Sequence, residues 1–319
     1  MKILITGGAG FIGHNLAKLA LDAGHEVRVL DDLSNGYRDN LDGLEVDFRE
    51  ASLLDESAVA SAVTGVDSIV HLGALGSVPR SIKDPLRSHH ANATGTLTLL
   101  DQARRAGTTH VMCASSSSVY GMNPALPKSE REWVRPMSPY AVSKLATEQY
   151  TLAYQQSFGF DTLAFRFFNV YGPGQRAGHV YAAVIPTWID AILRSEPVWV
   201  NGDGSNSRDF TYVGTVCSTL IDAVERRVGH PEPVNLAFGT NTTLEVLLDE
   251  LRTVIGHDFD VRHRDPRPGD VPHSQADNAT LRRLFPSITP TALKDGLQSA
   301  YSWFTSDDVK SFRSAGLDS

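Results

Sequence analysis

Tyr140 and Lys144 lie four residues apart, in a segment over 138–144 that is typical of a helix start. Side chains at this spacing share one helix face, so the ammonium can lie near the phenol. A free tyrosine has a pKa of about 10 and is a poor base at neutral pH, but a nearby cation stabilises the phenolate and lowers that pKa. Four serines at 115–118 add a hydroxyl that can hydrogen-bond a substrate oxygen. These residues predict proton transfer to or from a hydroxyl group.

A glycine-rich turn opens the chain, with the sequence T-G-G-A-G-F-I-G over residues 6–13. Glycine permits positive φ and close approach of backbone amides to a pyrophosphate, and the following helix contributes partial positive charge. We predict that Gly7, Gly10, Phe11, Ile12 and Gly13 bind a dinucleotide.

An acidic pair, Asp31 and Asp32, stands about 20 residues after the turn, where a carboxylate accepts hydrogen bonds from the adenosine ribose. The acidic pair favours NAD over NADP, because a carboxylate would repel a 2′-phosphate. Nearby Arg38 could instead attract that phosphate and so favours NADP. Asn35 and Gly36 follow the acidic pair and are predicted to contact the same cofactor.

Predicted strands and helices alternate along the first half of the chain, and these elements must position the residues named above. Strands are predicted over 2–6, 26–31, 44–47, 68–72, 110–114 and 162–166, with helical spacing between several of them. This order predicts an α/β fold with a Rossmann-type doubly wound parallel sheet, which binds ligands at the carboxyl ends of its strands. Residues at those ends are therefore further cofactor candidates: Asp47, Phe48, Leu72, Gly73, Ala74, Ala114 and Ser115.

The pattern loosens after about residue 168, where Gly and Pro cluster at 172–174, 202–204 and 266–269. A helix-like stretch over 182–194 and a strand-like one over 198–200 lie among these loops. We predict an NAD-binding domain from residues 1–168 and 208–240, and a smaller, discontinuous α/β substrate-binding domain from 169–207 and 241–319.

Composition excludes several other classes of protein. The 319 residues hold 29 Lys and Arg against 37 Asp and Glu, and the net charge of −8 argues against a nucleic-acid surface. Two cysteines, Cys113 and Cys217, are too few for a disulfide framework, and His71, His89 and His90 lack the partners of a metal site. We expect a cytoplasmic protein that has no metal, membrane span or secretion signal.

Taken jointly, these motifs resemble the extended short-chain dehydrogenases/reductases of the NAD-dependent sugar-nucleotide epimerase/dehydratase family. The glycine turn, Asp31, the serine run with Tyr120 and Gly121, and the Tyr140–Lys144 pair all match. So do R-F-F-N-V-Y-G-P-G-Q at 166–175, G-D-G at 202–204, R-D-F-T-Y-V at 208–213 and R-P-G-D at 267–270. The resemblance covers nearly the whole chain.

The resemblance implies roles for individual residues. Ser116, Tyr140 and Lys144 would be the catalytic trio, and Asn92 and Phe168 would lie near NAD. Arg208 and Arg267 would hold the diphosphate of the substrate, because a planar guanidinium group suits a diphosphate. The residues that would bind a UDP-sugar are Gly76, Ser77, Ser116, Ser117, Tyr140, Asn169, Ala183, Val184, Asn201, Arg208, Arg267, Asp270 and Ser274.

The resemblance also narrows the reaction. Dehydratases of the family carry an Asp-Glu pair after the catalytic hydroxyl residue, and decarboxylases carry an acid there, whereas this chain has Ser117 and Ser118. We therefore predict 4-epimerisation through a 4-keto sugar. Ser274 stands where epimerases restricted to UDP-glucose and UDP-galactose have a tyrosine, which leaves room for a 2-acetamido group. The predicted substrates are UDP-GlcNAc and UDP-GalNAc, with UDP-Glc and UDP-Gal as well.

Two alternatives stay open: an enzyme acting on another nucleotide sugar, such as a UDP-uronic acid, and a non-catalytic NAD-binding module. Resemblance to the family further implies a homodimer, formed through helices over 84–106 and 139–158.

Overall fold

A computed structural model describes residues 1–177, 183–266 and 271–306. Its strands are β1 (Lys2–Thr6), β2 (Glu26–Asp31), β3 (Asp47–Glu50), β4 (Ser68–His71), β5 (His110–Ser116), β6 (Asp161–Phe167), β7 (Asn169–Tyr171), β8 (Val198–Asn201), β9 (Ser207–Arg208), β10 (Phe210–Tyr212), β11 (Val234–Leu236), β12 (Thr242–Thr243) and β13 (Val261–Arg264).

Seven of these strands form one parallel sheet in the order β11-β6-β5-β4-β1-β2-β3. The chain runs outwards from β1 to β3, then crosses back to β4 on the other side of β1, so the strand order reverses between β1 and β4. Such a switch point opens a crevice at the carboxyl ends of the two strands. The predicted Rossmann-type doubly wound sheet is confirmed.

The prediction for the third strand, over 44–47, is wrong: β3 begins at Asp47, which pairs with Arg28 in the middle of β2. Leu44 and Val46 pack on the core before the strand starts. Asp47 and Phe48 therefore lie at the amino end of β3, and Ala51, Ser52 and Leu53 follow its carboxyl end.

Helices flank the sheet and the strands beyond it. They are α1 (Phe11–Asp22), α2 (Glu56–Val63), α3 (Val78–Lys83), α4 (Pro85–His89), α5 (Gly95–Ala106), α6 (Pro139–Phe158), α7 (Val184–Leu193), α8 (Val213–Glu225), α9 (Leu244–Ile255), α10 (Ala279–Leu284) and α11 (Leu293–Thr305), with 3₁₀ turns at Arg38–Leu41 and Ser117–Tyr120. The segment predicted as one helix over 84–106 is α4 and α5 joined by a π-helical turn, His90–Thr94.

Each face of the sheet has its own hydrophobic core, as alternation along β1 requires. Ile3 and Ile5 pack with α1 and α8, whereas Leu4 packs on the other face with α2 and α5. A third cluster of buried residues joins α7, α9 and α11 with β8 and β10. Most of this cluster comes from the segments assigned above to the smaller domain, but β10 lies within 208–240, which was assigned to the NAD-binding domain. The domain boundaries remain a prediction.

Helix α6 carries the Tyr140–Lys144 pair, and its ends are fixed by local chemistry. The Ser138 side chain accepts a hydrogen bond from the Ala141 amide, and Pro139 occupies the first helical position, where its missing N–H costs nothing. Gly159 ends the helix in the left-handed conformation, with φ of 69°. The cap at Ser138 fixes where the helix begins, so Tyr140 lies in its first turn.

Candidate active site

A cavity of about 440 Å³ opens at the carboxyl edge of the sheet, at the switch point between β1 and β4. It brings together most of the predicted cofactor residues with the catalytic candidates. The predicted residues that line it are Gly7, Gly10, Phe11, Ile12, Gly13, Asp31, Asp32, Asn35, Gly36, Leu72, Gly73, Ala74, Gly76, Ala114, Ser115, Ser116, Tyr140, Lys144 and Phe168.

The glycine turn leaves no room for side chains at its closest approaches. A Cβ on Gly13 would lie 2.2 Å from the Gly7 carbonyl oxygen, and one on Gly7, whose φ is +70°, would lie 2.7 Å from the Gly73 amide nitrogen. The Gly7 amide donates to the Leu30 carbonyl, which ties the turn to β2. The result is a backbone cradle at the start of α1 that fits a pyrophosphate.

Asp31 lies beside the cradle, at the end of β2. Its carboxylate accepts hydrogen bonds from the Ala9 amide at 2.9 Å and the Leu33 amide at 2.8 Å, and burial raises its pKa. Arg38, which could have favoured a 2′-phosphate, forms an ion pair with Glu50 and lies over the Phe48 ring. The carboxylates of Asp31 and Asp32 suit the free ribose hydroxyls of NAD, and Arg38, paired with Glu50, is not left to attract a 2′-phosphate.

The catalytic candidates form the opposite wall. Ser116 ends β5, and its side chain interacts with the Tyr140 phenol. The Ser116 Oγ accepts hydrogen bonds from the Ser118 amide at 3.2 Å and the Ser118 hydroxyl at 2.9 Å. Because both bonds are accepted, the Ser116 hydroxyl keeps its own hydrogen to donate.

Burial governs the protonation of this wall in the protein alone. It raises the pKa of Tyr140, an effect that the interaction with Ser116 opposes. It lowers the pKa of Lys144, which is 4% exposed, to about 8. The sequence led us to expect a lowered pKa for Tyr140 from Lys144, and the direction in the protein alone is the reverse.

Asn92 does not line the cavity but supports its wall. Its side chain bonds to both the amide and the carbonyl of Leu75, which does line it, and donates to the Ser143 hydroxyl on α6 at 2.8 Å. Asn92 lies in the π-helical turn, a feature that often marks functional sites.

Asp47 and Phe48 also lie off the cavity, as the corrected start of β3 requires. Asp47 is bound by Arg28 and Arg49, whose hydrogen bonds hold its pKa at about 2. The residues at the carboxyl end of β3, Ala51, Ser52 and Leu53, line the cavity instead.

Sequence reasoning missed Gln175 as well. This side chain lines the cavity, and its buried amide oxygen has no hydrogen-bond partner within the described part of the chain. A ribose hydroxyl can satisfy such an oxygen, which is a second respect in which the residues present fit NAD. Gln175 sits in the G-P-G-Q run already noted, and that run was the available signal.

The remaining predicted sugar-binding residues that the structure describes do not line the cavity. Ser77 caps α3 with a φ of 100°, a backbone strain common near functional sites, and Ser117 lies in the 3₁₀ turn. Asn169 begins β7, Ala183 and Val184 begin α7, Asn201 bonds to Arg264, and Arg208 and Ser274 both bond within the β9 region. Arg267 and Asp270 lie outside the described residues.

Residues 1–177, 183–266 and 271–306 hold no group of three His, Cys, Asp or Glu placed to bind a metal ion. Within them, no helix has the length and apolar character that crossing a bilayer needs.

A Rossmann sheet with these residues at its carboxyl edge defines an extended short-chain dehydrogenase/reductase. The family model described as the NAD dependent epimerase/dehydratase family matches residues 3–237, and the chain belongs to that family. It is an NAD-dependent enzyme of the kind that acts on sugar nucleotides.

Individual relatives cover almost the full chain. A UDP-glucose 4-epimerase of Mycolicibacterium smegmatis is 35% identical over 95% of this chain and 98% of its own. The structure of a UDP-N-acetylglucosamine 4-epimerase from Methanobrevibacter ruminantium with UDP-N-acetylmuramic acid has a TM-score of 0.90 and 36% identity, over 95% of this chain and 97% of that one. The structure of a dTDP-glucose 4,6-dehydratase from Streptomyces venezuelae, with NAD bound, has a TM-score of 0.86 and 30% identity. The match covers 95% of this chain and 97% of that one.

Proposed function

We propose that the chain is a UDP-sugar 4-epimerase that interconverts UDP-GlcNAc with UDP-GalNAc and also UDP-Glc with UDP-Gal. The observation that carries the proposal is the single cavity lined by Ser116, Tyr140 and Lys144 together with the glycine cradle. The glycine turn and Asp31 would hold NAD, which would supply a hydride acceptor for C4 of the sugar and, in its reduced form, a hydride donor to the opposite face.

The three side chains divide the remaining chemistry. The Tyr140 oxygen removes the proton of the 4-hydroxyl and later returns it, and nearby positive charge would lower its pKa against the effect of burial. Ser116 donates its free hydrogen to the same sugar oxygen. Lys144, on the Tyr140 face of α6, supplies positive charge as long as it stays protonated, below its pKa of about 8.

The dehydratase alternative requires an acid or base for the 6-hydroxyl. Among the described residues, Asp31 and Asp32 are the carboxylates that line the cavity, and they lie beside the glycine turn. The positions after Ser116 hold Ser117 and Ser118, and the Ser118 hydroxyl bonds back to Ser116. This arrangement favours return of the hydride over loss of water.

A panel of sugar nucleotides tests the proposal. Purified protein is incubated with UDP-GlcNAc, UDP-GalNAc, UDP-Glc, UDP-Gal, UDP-glucuronic acid and dTDP-glucose, and the products are separated by chromatography. We expect each 4-epimer pair of the first four to interconvert. A product that has lost water or carbon dioxide would indicate another enzyme of the family, and no product from any sugar would favour a non-catalytic module.

Ser274 is proposed to set the choice of sugar. The structure places it half-buried, with its amide donating to the Ser207 carbonyl at 3.1 Å beside Arg208. Replacing Ser274 by Tyr should lower kcat/KM for the two N-acetylated sugars at least about tenfold while UDP-Glc and UDP-Gal still react, because added bulk excludes the larger substituent. Ser274→Ala is the matched control and should keep all four activities. An unchanged substrate profile in Ser274→Tyr would refute this role.

We further propose that the enzyme is a homodimer through α4 and α6. Leu86 on α4 is 70% exposed and Val142 on α6 is 54% exposed, and the two helices pack against each other. Leu86→Arg should shift the protein from dimer to monomer in analytical ultracentrifugation, because a charge buried without a partner opposes association. Val246→Arg, at a similarly exposed position on α9, should leave the mass unchanged. A wild-type monomer would contradict the proposal.

A further inference from the structure

A buried ion pair lies beneath the Ser116 turn, between Glu148 on α6 and Arg166 on β6. One carboxylate oxygen lies 2.7 Å from Arg166 Nη2 and the other 2.9 Å from Nε, with the side chains 0% and 4% exposed. Burying two charges is costly, and an apolar pair of similar volume is often equally stable. Stability alone therefore does not account for the pair.

The contacts of the pair reach the Ser116 segment from both sides. The Ser115 hydroxyl donates to Glu148 Oε2 at 2.7 Å, and the Arg166 guanidinium lies 4.7 Å from the centre of the Tyr120 ring. Ser115 immediately precedes Ser116, and Tyr120 ends the 3₁₀ turn that follows it. The backbone that carries the Ser116 hydroxyl is thus held at its start and at its end.

The same carboxylate belongs to the helix that carries the other two members of the trio. Glu148 lies one turn beyond Lys144 and two turns beyond Tyr140 on α6, so all three share one side of the helix. The Ser115 hydroxyl also lies 3.5 Å from the Lys144 carbonyl oxygen. One ion pair therefore joins the strand end that carries Ser116 to the helix that carries Tyr140 and Lys144.

We propose that Glu148 and Arg166 are positioning residues that hold the Ser116 hydroxyl in place relative to Tyr140, so that both side chains reach the same sugar oxygen. Hydrogen-bond reach to that oxygen is about 2.6–3.2 Å between the heavy atoms, and a misplacement of about 1 Å can lower the rate about a hundredfold. The inference rests on the proposed function, since it assigns the pair a part in the same reaction.

Loss of this positioning has a signature in the protonation of Tyr140. Interaction with Ser116 lowers the pKa of Tyr140, so moving Ser116 away raises that pKa. Among the described residues, the ionisable groups that interact with Lys144 of the trio or with one another beside it are Glu148 on the same helix, Cys113 on β5 and His71 on β4. Because Tyr140 acts as a base, a raised pKa shifts the acid limb of the pH dependence of kcat to higher pH.

Three variants of the NAD-loaded enzyme test the proposal. Ser115→Ala removes the 2.7 Å hydrogen bond between β5 and Glu148, together with the longer contact to the Lys144 carbonyl oxygen. Glu148→Met with Arg166→Met replaces the pair by apolar residues of similar length. Ser68→Ala is the matched control: Ser68 is a buried serine at the start of β4, and its hydroxyl hydrogen-bonds His110 at 2.8 Å, away from the trio. Each protein is assayed for kcat, KM, bound NAD, unfolding temperature and pH dependence.

We expect kcat to fall about tenfold in Ser115→Ala and about a hundredfold in the double variant, with KM within about twofold. Bound NAD should be unchanged and the acid limb should lie at higher pH, whereas Ser68→Ala should keep the wild-type kcat. If kcat and the acid limb stay at wild-type values in both variants, or if kcat falls only in step with bound NAD, the inference is wrong.

A spectroscopic titration separates this inference from the proposed function. The phenol absorbance is titrated with pH, and the difference between each protein and its Tyr140→Phe counterpart gives the pKa of Tyr140 without turnover. This pKa should be higher in Ser115→Ala than in the wild type. An equal pKa in both proteins contradicts the positioning role, whether or not any UDP-sugar is converted. A wild-type enzyme inactive on the whole sugar panel contradicts the proposed function instead.

Discussion

Tyr140→Phe is expected to lower kcat by roughly three orders of magnitude while the enzyme keeps its fold and its NAD. Phenylalanine retains the ring in the cavity wall and removes only the oxygen that would accept the proton of the sugar 4-hydroxyl. General acid–base catalysis contributes about 10²–10⁴-fold in rate, so its complete loss sets the size of the effect. The measurement is kcat with UDP-GlcNAc, together with the amount of NAD released on denaturation.

Tyr154→Phe provides the matched control for that variant. Tyr154 lies on the same helix, is 8% exposed, and packs on Phe158 and Phe160 far from the cavity wall. It should lose little activity, because its hydroxyl has no part in the proposed chemistry. A Tyr140→Phe enzyme with near-normal kcat would remove Tyr140 from the mechanism, and one without NAD would show that the tyrosine supports cofactor binding instead.

The parts of the fold that follow from local rules could be predicted from the sequence. The glycine turn needs residues without a Cβ, and α6 needs a capping serine followed by proline, so both appear in the sequence as fixed residue types at fixed spacing. A parallel sheet brings the carboxyl ends of its strands to one edge, where Ser116 ends β5. The helix that follows β5, α6, begins at the same edge, so Tyr140 and Lys144 line the same cavity. That placement required only the order of strands and helices.

Features set by tertiary pairing were missed or misplaced. The apolar Leu44 and Val46 suggested a strand, but the edge strand that pairs with β2 is the charged segment that begins at Asp47. Charged residues are favoured on edge strands, where they discourage pairing with other chains, so apolar character pointed three residues too early. The Glu148–Arg166 pair left no local signal either, because its partners are separated by 18 residues.

The direction of the Tyr140 pKa shift shows a different limit. Spacing revealed that an ammonium could lie near the phenol, but burial acts on both groups and depends on the whole fold. In the protein alone burial dominates, raising the pKa of Tyr140 and lowering that of Lys144. If Tyr140 is the base, positive charge must offset the effect of burial on its pKa, so the proposed chemistry depends on the contents of the cavity as well as on the trio.

Gly13→Ala should lower activity through loss of NAD rather than through the trio. The added Cβ would lie 2.2 Å from the Gly7 carbonyl oxygen and 2.6 Å from the Gly8 Cα. Both neighbours are backbone atoms, and the Gly7 amide is held by Leu30, so the turn must open. Overpacking of this kind costs about 1–3 kcal/mol, which predicts a fall in NAD affinity of about 5- to 150-fold, measured by calorimetric titration of the NAD-free protein.

Gly229→Ala distinguishes this effect from a general cost of replacing glycine. Its added Cβ would meet its nearest atom at 3.5 Å, an ordinary contact, so both NAD affinity and unfolding temperature should stay near wild type. In Gly13→Ala, a saturating concentration of NAD should restore much of the lost kcat, because the catalytic wall is intact. Wild-type NAD affinity in Gly13→Ala would mean that the turn does not carry the pyrophosphate, and the proposed cofactor site would have to lie elsewhere.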